Sequence, residues 1–234
     1  LPLDGWADAC LQALQAGDTL VALWGRPAAP SADGTHSGDW VLTAITQSAR
    51  TGLQAWRGHT STGASYPSLT AHFAAAQMPE RELHEQTGLQ PLGHPWLKPV
   101  RFAGLQPRRM DDYPFFTVRG HEVHEVGVGP IHASVIEPGH FRFMCHGERV
   151  QHLEIQLGYQ HRGVEALLLQ RPPLALTSLV ESIAGDTSIA YAWGYCAAVE
   201  ALAGAQLPAA VQLQRAVALE LERVAMHLVA LTGL

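Results

Sequence analysis

Cysteine is scarce in this 234-residue chain: Cys10, Cys145 and Cys196 are the whole set, and no two form a C-x-x-C pair. An odd, widely spaced set points to a reducing compartment and gives no disulfide framework. It also excludes a zinc or iron–sulfur site built from this chain's cysteines alone. Charge is scarce too, at 15% of residues, and acidic on balance, with a formal net charge of -6. A nucleic-acid binder needs a basic face to neutralise phosphates, so that partner class is excluded. The one local group of cations, Lys98, Arg101, Arg108 and Arg109, is too small for a phosphate footprint and reads as a solvated loop. Long apolar runs are missing: the longest uncharged apolar stretch, 187–199, falls well short of the roughly 20 residues that span a bilayer. The opening "LPLDGWADAC" has neither a basic region nor an apolar core, so it does not read as a signal peptide. Nucleophile-elbow, P-loop and catalytic-cysteine signatures are absent, and no internal repeat is visible. The chain starts without Met and stops at a strongly apolar segment, so we expect a piece of a longer protein.

What is present is apolar: 47% of the residues are hydrophobic, enough for a substantial core and one or two domains. Residues 6–16 carry Trp6, Cys10, Leu11 and Leu14 at helical spacing, closed by Gly17-Asp18. Strands are expected at 19–25, 40–46 and 52–58, with a Pro/Gly/Ser loop over 26–39. Residues 68–88 read as a helix interrupted at Pro79. Together 1–107 is expected to form a small α/β sandwich domain, followed by a charged linker over 108–125. "VGVGPIHASVIEPGHFRFMCHGERV" (126–150) alternates β-branched residues with Gly/Pro turns and reads as a β-hairpin or meander. From 151 the pattern turns helical, over 151–170, 174–204 and 208–232, so 126–234 is expected to lead from the hairpin into an incomplete antiparallel helical bundle. The fold class is α+β.

Thirteen histidines are available, seven of them between 121 and 161, but His121 and His124 are flanked by Gly and Val and read as surface-loop residues rather than a helical ligand pair. "IEPGHFRF" (136–143) sets Glu137 beside His140 in a tight turn; buried at the head of a bundle, Glu137 would have a raised pKa and could carry a proton, whereas a solvated turn would leave it inert. In "GYQHRGVE" (158–165), Arg162 could fork onto a buried carboxylate such as Glu137 or Glu181, or simply lie on the surface. "ESIAGDTSIAYAWGYC" (181–196) is nearly free of side-chain bulk and suits a tight packing seam, yet it holds Asp186, which must be hydrogen-bonded or exposed.

Taken together, "GPIHASVIEPGHFRF", "GYQHRGVE" and the run from Glu181 through "LQRAVALELERVAMHLVALTG" resemble the large subunit of the membrane-bound, energy-converting (group 4) nickel–iron hydrogenases and the homologous D-type subunit of complex I, NADH:quinone oxidoreductase. Upstream, "PERELHEQTGLQPLGHPWLKPVRF" (79–102) resembles the signature of the C-type subunit of complex I, often fused ahead of the D-type one. These segments cover most of 79–234.

The resemblance implies a cytoplasmic protein, peripheral on the inner face of the plasma membrane. Its expected neighbours are an iron–sulfur small subunit that holds the last cluster and antiporter-like membrane-arm subunits. In the hydrogenases, nickel and iron hang from C-x-x-C pairs. Counted without gaps from "AVE" (198–200), the two cysteine positions of the first pair fall on Ala184 and Thr187, the arginine position on Ser182 and the histidine position on Tyr191. Alanine has no donor atom and threonine only a hard hydroxyl, so the resemblance implies no nickel–iron site and no cofactor held by this chain. Complex I instead uses the cavity for a quinone, through hairpin histidines and a tyrosine. His132 matches the first histidine, but Ile136 stands at the second and Gly185 at the tyrosine. The implied cavity residues are therefore Glu137, His132 and Asp186 as a proton relay, with His132, His140, Arg162 and Tyr191, or Tyr195, against a ligand such as a quinone. Three roles stay open: a redox-complex subunit without nickel–iron, a true quinone-reducing subunit, and a structural scaffold.

Overall fold

The computed structural model describes residues 1–29, 38–105, 109–133 and 136–232. The structure is of mixed α and β type and divides into two compact units, Leu1–Val128 with Gly139–Tyr159, and Gly129–Pro138 with Gln160–Leu234.

In the first unit, helix α1 (Leu3–Gln15) buries Trp6, Ala7, Cys10, Ala13 and Leu14, the spacing of one helical face. Strands β1 (Thr19–Pro27), β2 (Asp39–Ser48) and β3 (Gly52–Ser61) form an antiparallel sheet in that order. Helix α2 (Gln77–Thr87) follows a 3-10 turn at Ala74–Ala76 and ends on Gly88 at φ 73°, a left-handed cap that glycine adopts without strain. The helix expected over 68–88 therefore starts later and is not broken at Pro79. Pro79 lies in the first turn, where the missing N–H would have no intrahelical partner. Two glycines set how close the helices come to the sheet. A Cβ on Gly58 would stand 2.8 Å from the Trp6 ring, and one on Gly25 would stand 2.8 Å from Thr87. The core between these layers holds Trp6, Cys10, Leu23, Leu42, Tyr66, Leu69, Leu83 and Leu89, with Trp6 edge-on to Tyr66 at 5.6 Å. Short strands β4 (Ser65–Pro67) and β5 (Gln90–Leu92) pair in parallel beside it.

A second antiparallel sheet, β6 (Val123–Val128), β7 (His140–His146) and β8 (Arg149–Gln156), completes this unit. The expectation of helix from 151 is overturned here. In "RVQHLEIQ" the period is two, not 3.6, but the phase is inverted: Glu154 and Gln156 are buried while Leu153 and Ile155 are exposed. A polar inward face hides a strand from any reading that looks for apolar residues inside.

In the second unit only α3 (Val164–Leu168) is helical within 160–172. The single helix expected over 174–204 is divided into a 3-10 turn at Pro173–Ala175, α4 (Thr177–Glu181) and α5 (Ser188–Ala203). The break at 182–187 contains Ser182, Gly185, Asp186 and Thr187, residues whose side chains compete for backbone groups or add backbone entropy. Helix α5 closes on Gly204 at φ 65°, and α6 (Ala209–Thr232) returns antiparallel to it, tied by the Arg215–Glu200 ion pair at 2.6 Å. Leu213, Val217, Leu221, Val224 and Leu228 form an exposed apolar stripe along α6. Among the described residues no helix is long and apolar enough to cross a membrane.

Candidate functional site

The signature over 79–102 is an anchoring device. Glu80 is fully buried, and its carboxylate accepts from Ser68 Oγ (2.7 Å), Leu69 N (2.9 Å), Thr70 N (2.8 Å) and Thr70 Oγ1 (2.5 Å). Arg81 turns the other way and donates from Nε to Lys98 O and from Nη2 to Pro99 O. Burial pushes its guanidinium below the ordinary arginine range. Glu82 takes Arg101 in a fork at 2.8 and 3.0 Å, and Glu85 accepts the N–H groups of Arg101 and Phe102. One helix thus fixes the turn before it and the loop after it.

That loop carries Lys98, whose ammonium lies 4.1 Å above the Trp96 ring and 2.5 Å from Glu154 on β8. Glu154 is 3% exposed and also accepts from Phe116 N at 2.7 Å. Burial alone would raise its pKa. The hydrogen bonds from Lys98 and Phe116 outweigh that and hold it below the usual carboxylate range. Burial pushes the Tyr113 hydroxyl beside it up to about 12. Lys98 and Arg101 are therefore paired structural cations rather than solvated ones. Arg109 is an exposed partner of Asp111, and Arg108 lies outside the described residues.

The residues singled out for the cavity are placed as follows. His140 opens β7, with its ring 5.6 Å from Phe115, in the first unit. The others belong to the second unit. There Glu137 is exposed, not buried at the head of a bundle, and His132 is half-buried. His121 and His124 are exposed, His121 in a turn and His124 on β6, so they form no helical pair. Arg162 does not fork onto Glu137 or Glu181. It donates to Ser182 O at 2.5 Å and Ile183 O at 2.8 Å, because carbonyls at the end of α4 lack intrahelical partners and favour a cation.

The segment between α4 and α5 is a folded turn. Thr187 N–H donates to Ala184 O at 3.3 Å and Tyr191 N–H to Thr187 O at 3.0 Å. Ser188 Oγ donates to Glu181 O, and the exposed Asp186 accepts from Thr187 Oγ1 at 3.3 Å. Glu222 of α6 holds the start of α5, accepting from Ile189 N at 2.7 Å and Ala190 N at 3.1 Å. Tyr195 donates to Pro173 O at 2.7 Å, while Tyr191 is 44% exposed. The turn thus offers a backbone on which residues 184 and 187 are closed into one loop, but the side chains there are a methyl and a hydroxyl. That donor set does not fit nickel and iron, which take thiolates. Among the described residues no three His, Cys, Asp or Glu side chains are grouped to hold a metal ion. Sequence reasoning missed Glu222, Glu154 and the partners of Lys98. Each meets its partner across a distance that no local motif encodes.

Residues 35–115 match the family described as "Respiratory-chain NADH dehydrogenase, 30 Kd subunit". Among curated proteins, the chain is 33% identical over 185 residues to formate hydrogenlyase subunit 5 of Escherichia coli, covering 70% of this chain and 32% of that protein. It is 31% identical over 184 residues to hydrogenase-4 component G of the same organism, covering 70% and 33%. It is 26% identical over 198 residues to the C/D subunit of the NADH-quinone oxidoreductase of Phocaeicola vulgatus, covering 69% and 38%. The chain spans about a third of the length of these relatives.

Proposed function

Since the chain belongs to the family shared by the group 4 hydrogenases and complex I, we propose that it is a peripheral subunit of a membrane-associated redox complex that works without a nickel–iron centre. It docks beside an iron–sulfur partner on the cytoplasmic face and helps couple electron transfer to ion movement through antiporter-like membrane partners. The observation that carries this reading is the turn at 184–187: by the resemblance to hydrogenase subunits it falls where thiolates are needed, yet Ala184 and Thr187 stand there. What this chain's residues do is hold that turn. Arg162 secures its entry, Glu222 secures the helix that follows, and Asp186, His132 and Glu137 supply groups able to exchange protons.

The test is purification of the tagged native complex from membranes, with identification of its subunits and metal analysis. Iron and antiporter-like subunits should co-purify and nickel should stay far below one per complex. Nickel at one per complex, or a chain that purifies alone, overturns the reading. A quinone-reducing role rests on His132 matching the hairpin histidine. It requires that quinone-analogue inhibition of electron flow in the complex be lost in His132→Ala.

A further inference from the structure

The geometry points to the free edge of β8 as the attachment site for an extended, carboxylate-bearing segment of a partner polypeptide, which adds there as a fourth strand. This goes beyond the proposed function and rests on the first unit alone. Strand β8 is last in the order β6-β7-β8, and among the described residues no other strand pairs with it. An edge strand presents alternate N–H and C=O groups with no partner in the sheet, the template on which extended peptides add. Beside this edge runs a cleft of 580 Å³, with Met78, Arg81, Pro95 and Trp96 on one wall and residues 152–155 of β8 on the other. Its β8 lining is four residues consecutive in sequence, 152–155, which suits a chain lying lengthwise better than a compact molecule. Leu153 and Ile155 on the strand and Leu157 just after it are 43%, 42% and 41% exposed and would be covered by alternate apolar side chains of an added strand.

Charge chooses the occupant. Lys98 is neutralised by Glu154. Arg81 has no carboxylate within ion-pair distance among the described residues, and its Nη1 meets the Met78 thioether at 3.3 Å, a weak acceptor. The wall of the cleft therefore carries one largely buried cation, held by carbonyls and sulfur and attracted only at longer range by Glu85 and Glu154, and a Glu or Asp side chain on the incoming strand complements it.

The experiment is hydrogen–deuterium exchange on the full 234-residue chain, alone and with an excess of synthetic blocked hexapeptides. The first peptide alternates Thr and Val around a central Glu. The second carries Lys in place of the Glu, and the third is the Glu peptide with alternate backbone amides methylated. The Glu peptide should slow exchange over 152–157 by about tenfold, and the other two should not. No slowing with the Glu peptide, equal slowing with the Lys peptide, or slowing that survives methylation overturns the inference. None of these outcomes depends on whether an iron–sulfur partner co-purifies, so the two readings fail separately.

Discussion

Lys98 and Glu154, 56 residues apart in sequence, meet at 2.5 Å and tie the loop after α2 to strand β8. Both are largely withdrawn from water, with side chains 15% and 2% exposed. Removing one member leaves the other buried and unpaired, so Lys98→Met should cost about 3 kcal/mol of stability, read as a lower urea midpoint. The pH dependence has a definite sign. Glu154 is held below its unfolded pKa, which is about 4.3. Its contribution is complete above that unfolded value and is lost as the pH falls through the lower folded value. Acid unfolding should therefore be shallower in Glu154→Gln than in the parent chain, a difference that urea midpoints measured on both sides of the unfolded value would show.

Glu80 should be the costliest single carboxylate to remove. Its two oxygens satisfy four donors in the 68–70 turn, and no water reaches them. Glu80→Ala strands those donors and opens a cavity, with an expected loss of about 3 to 4 kcal/mol. Glu80→Gln keeps one acceptor oxygen and most of the volume, and should lose about half as much. Urea titrations of the two variants with unchanged slopes would check the order. Equal losses would mean that the carboxylate's hydrogen bonds, not its volume, dominate.

The α+β class, α1, the first three strands and α6 are legible in the sequence because α1 keeps helical spacing on its buried face, α6 on one stripe, and the strands are short apolar runs rich in β-formers. Strand β8 escapes because its inward residues are Glu154 and Gln156, satisfied by Lys98, Phe116 and Met110 from elsewhere in the chain. Lys98 escapes for the same reason: a cation beside other cations looks solvated until its distant carboxylate is known. In the candidate site the composition of 181–191 is visible, but the breaks in the helix are not, because Ala and Ile on either side support a continuous one. Arg162 was legible as an anchor, though its partners are the carbonyls of Ser182 and Ile183 rather than a carboxylate.

Two glycines should respond to alanine in opposite directions. Gly58 faces the Trp6 ring, where an added Cβ would sit at 2.8 Å from a large buried side chain. Gly58→Ala should destabilise the first unit by about 2 kcal/mol through overpacking. Gly194 lies inside α5 with nothing within 4 Å of the added methyl. Gly194→Ala should stabilise that helix by about 0.5 to 1 kcal/mol by removing unfolded-state entropy. Helicity and thermal midpoints of the two variants, measured side by side, check both signs. Destabilisation by Gly194→Ala in the isolated chain would contradict the open surroundings of α5.

The double variant Ala184→Cys, Thr187→Cys tests whether the turn between α4 and α5 keeps the shape of a metal-binding loop. The backbone between the two positions is already closed by the Thr187 N–H to Ala184 O bond, so two thiolates added there would lie on one loop. Soft cations favour such a pair, and deprotonation of the thiols on binding makes uptake pH-dependent. The variant should bind cadmium with a thiolate charge-transfer absorption that weakens as the pH is lowered, while the parent chain shows none at this turn. Cadmium uptake no stronger than in the single variant Ala184→Cys would show that the two positions do not converge and that the turn does not have the shape of a metal-binding loop.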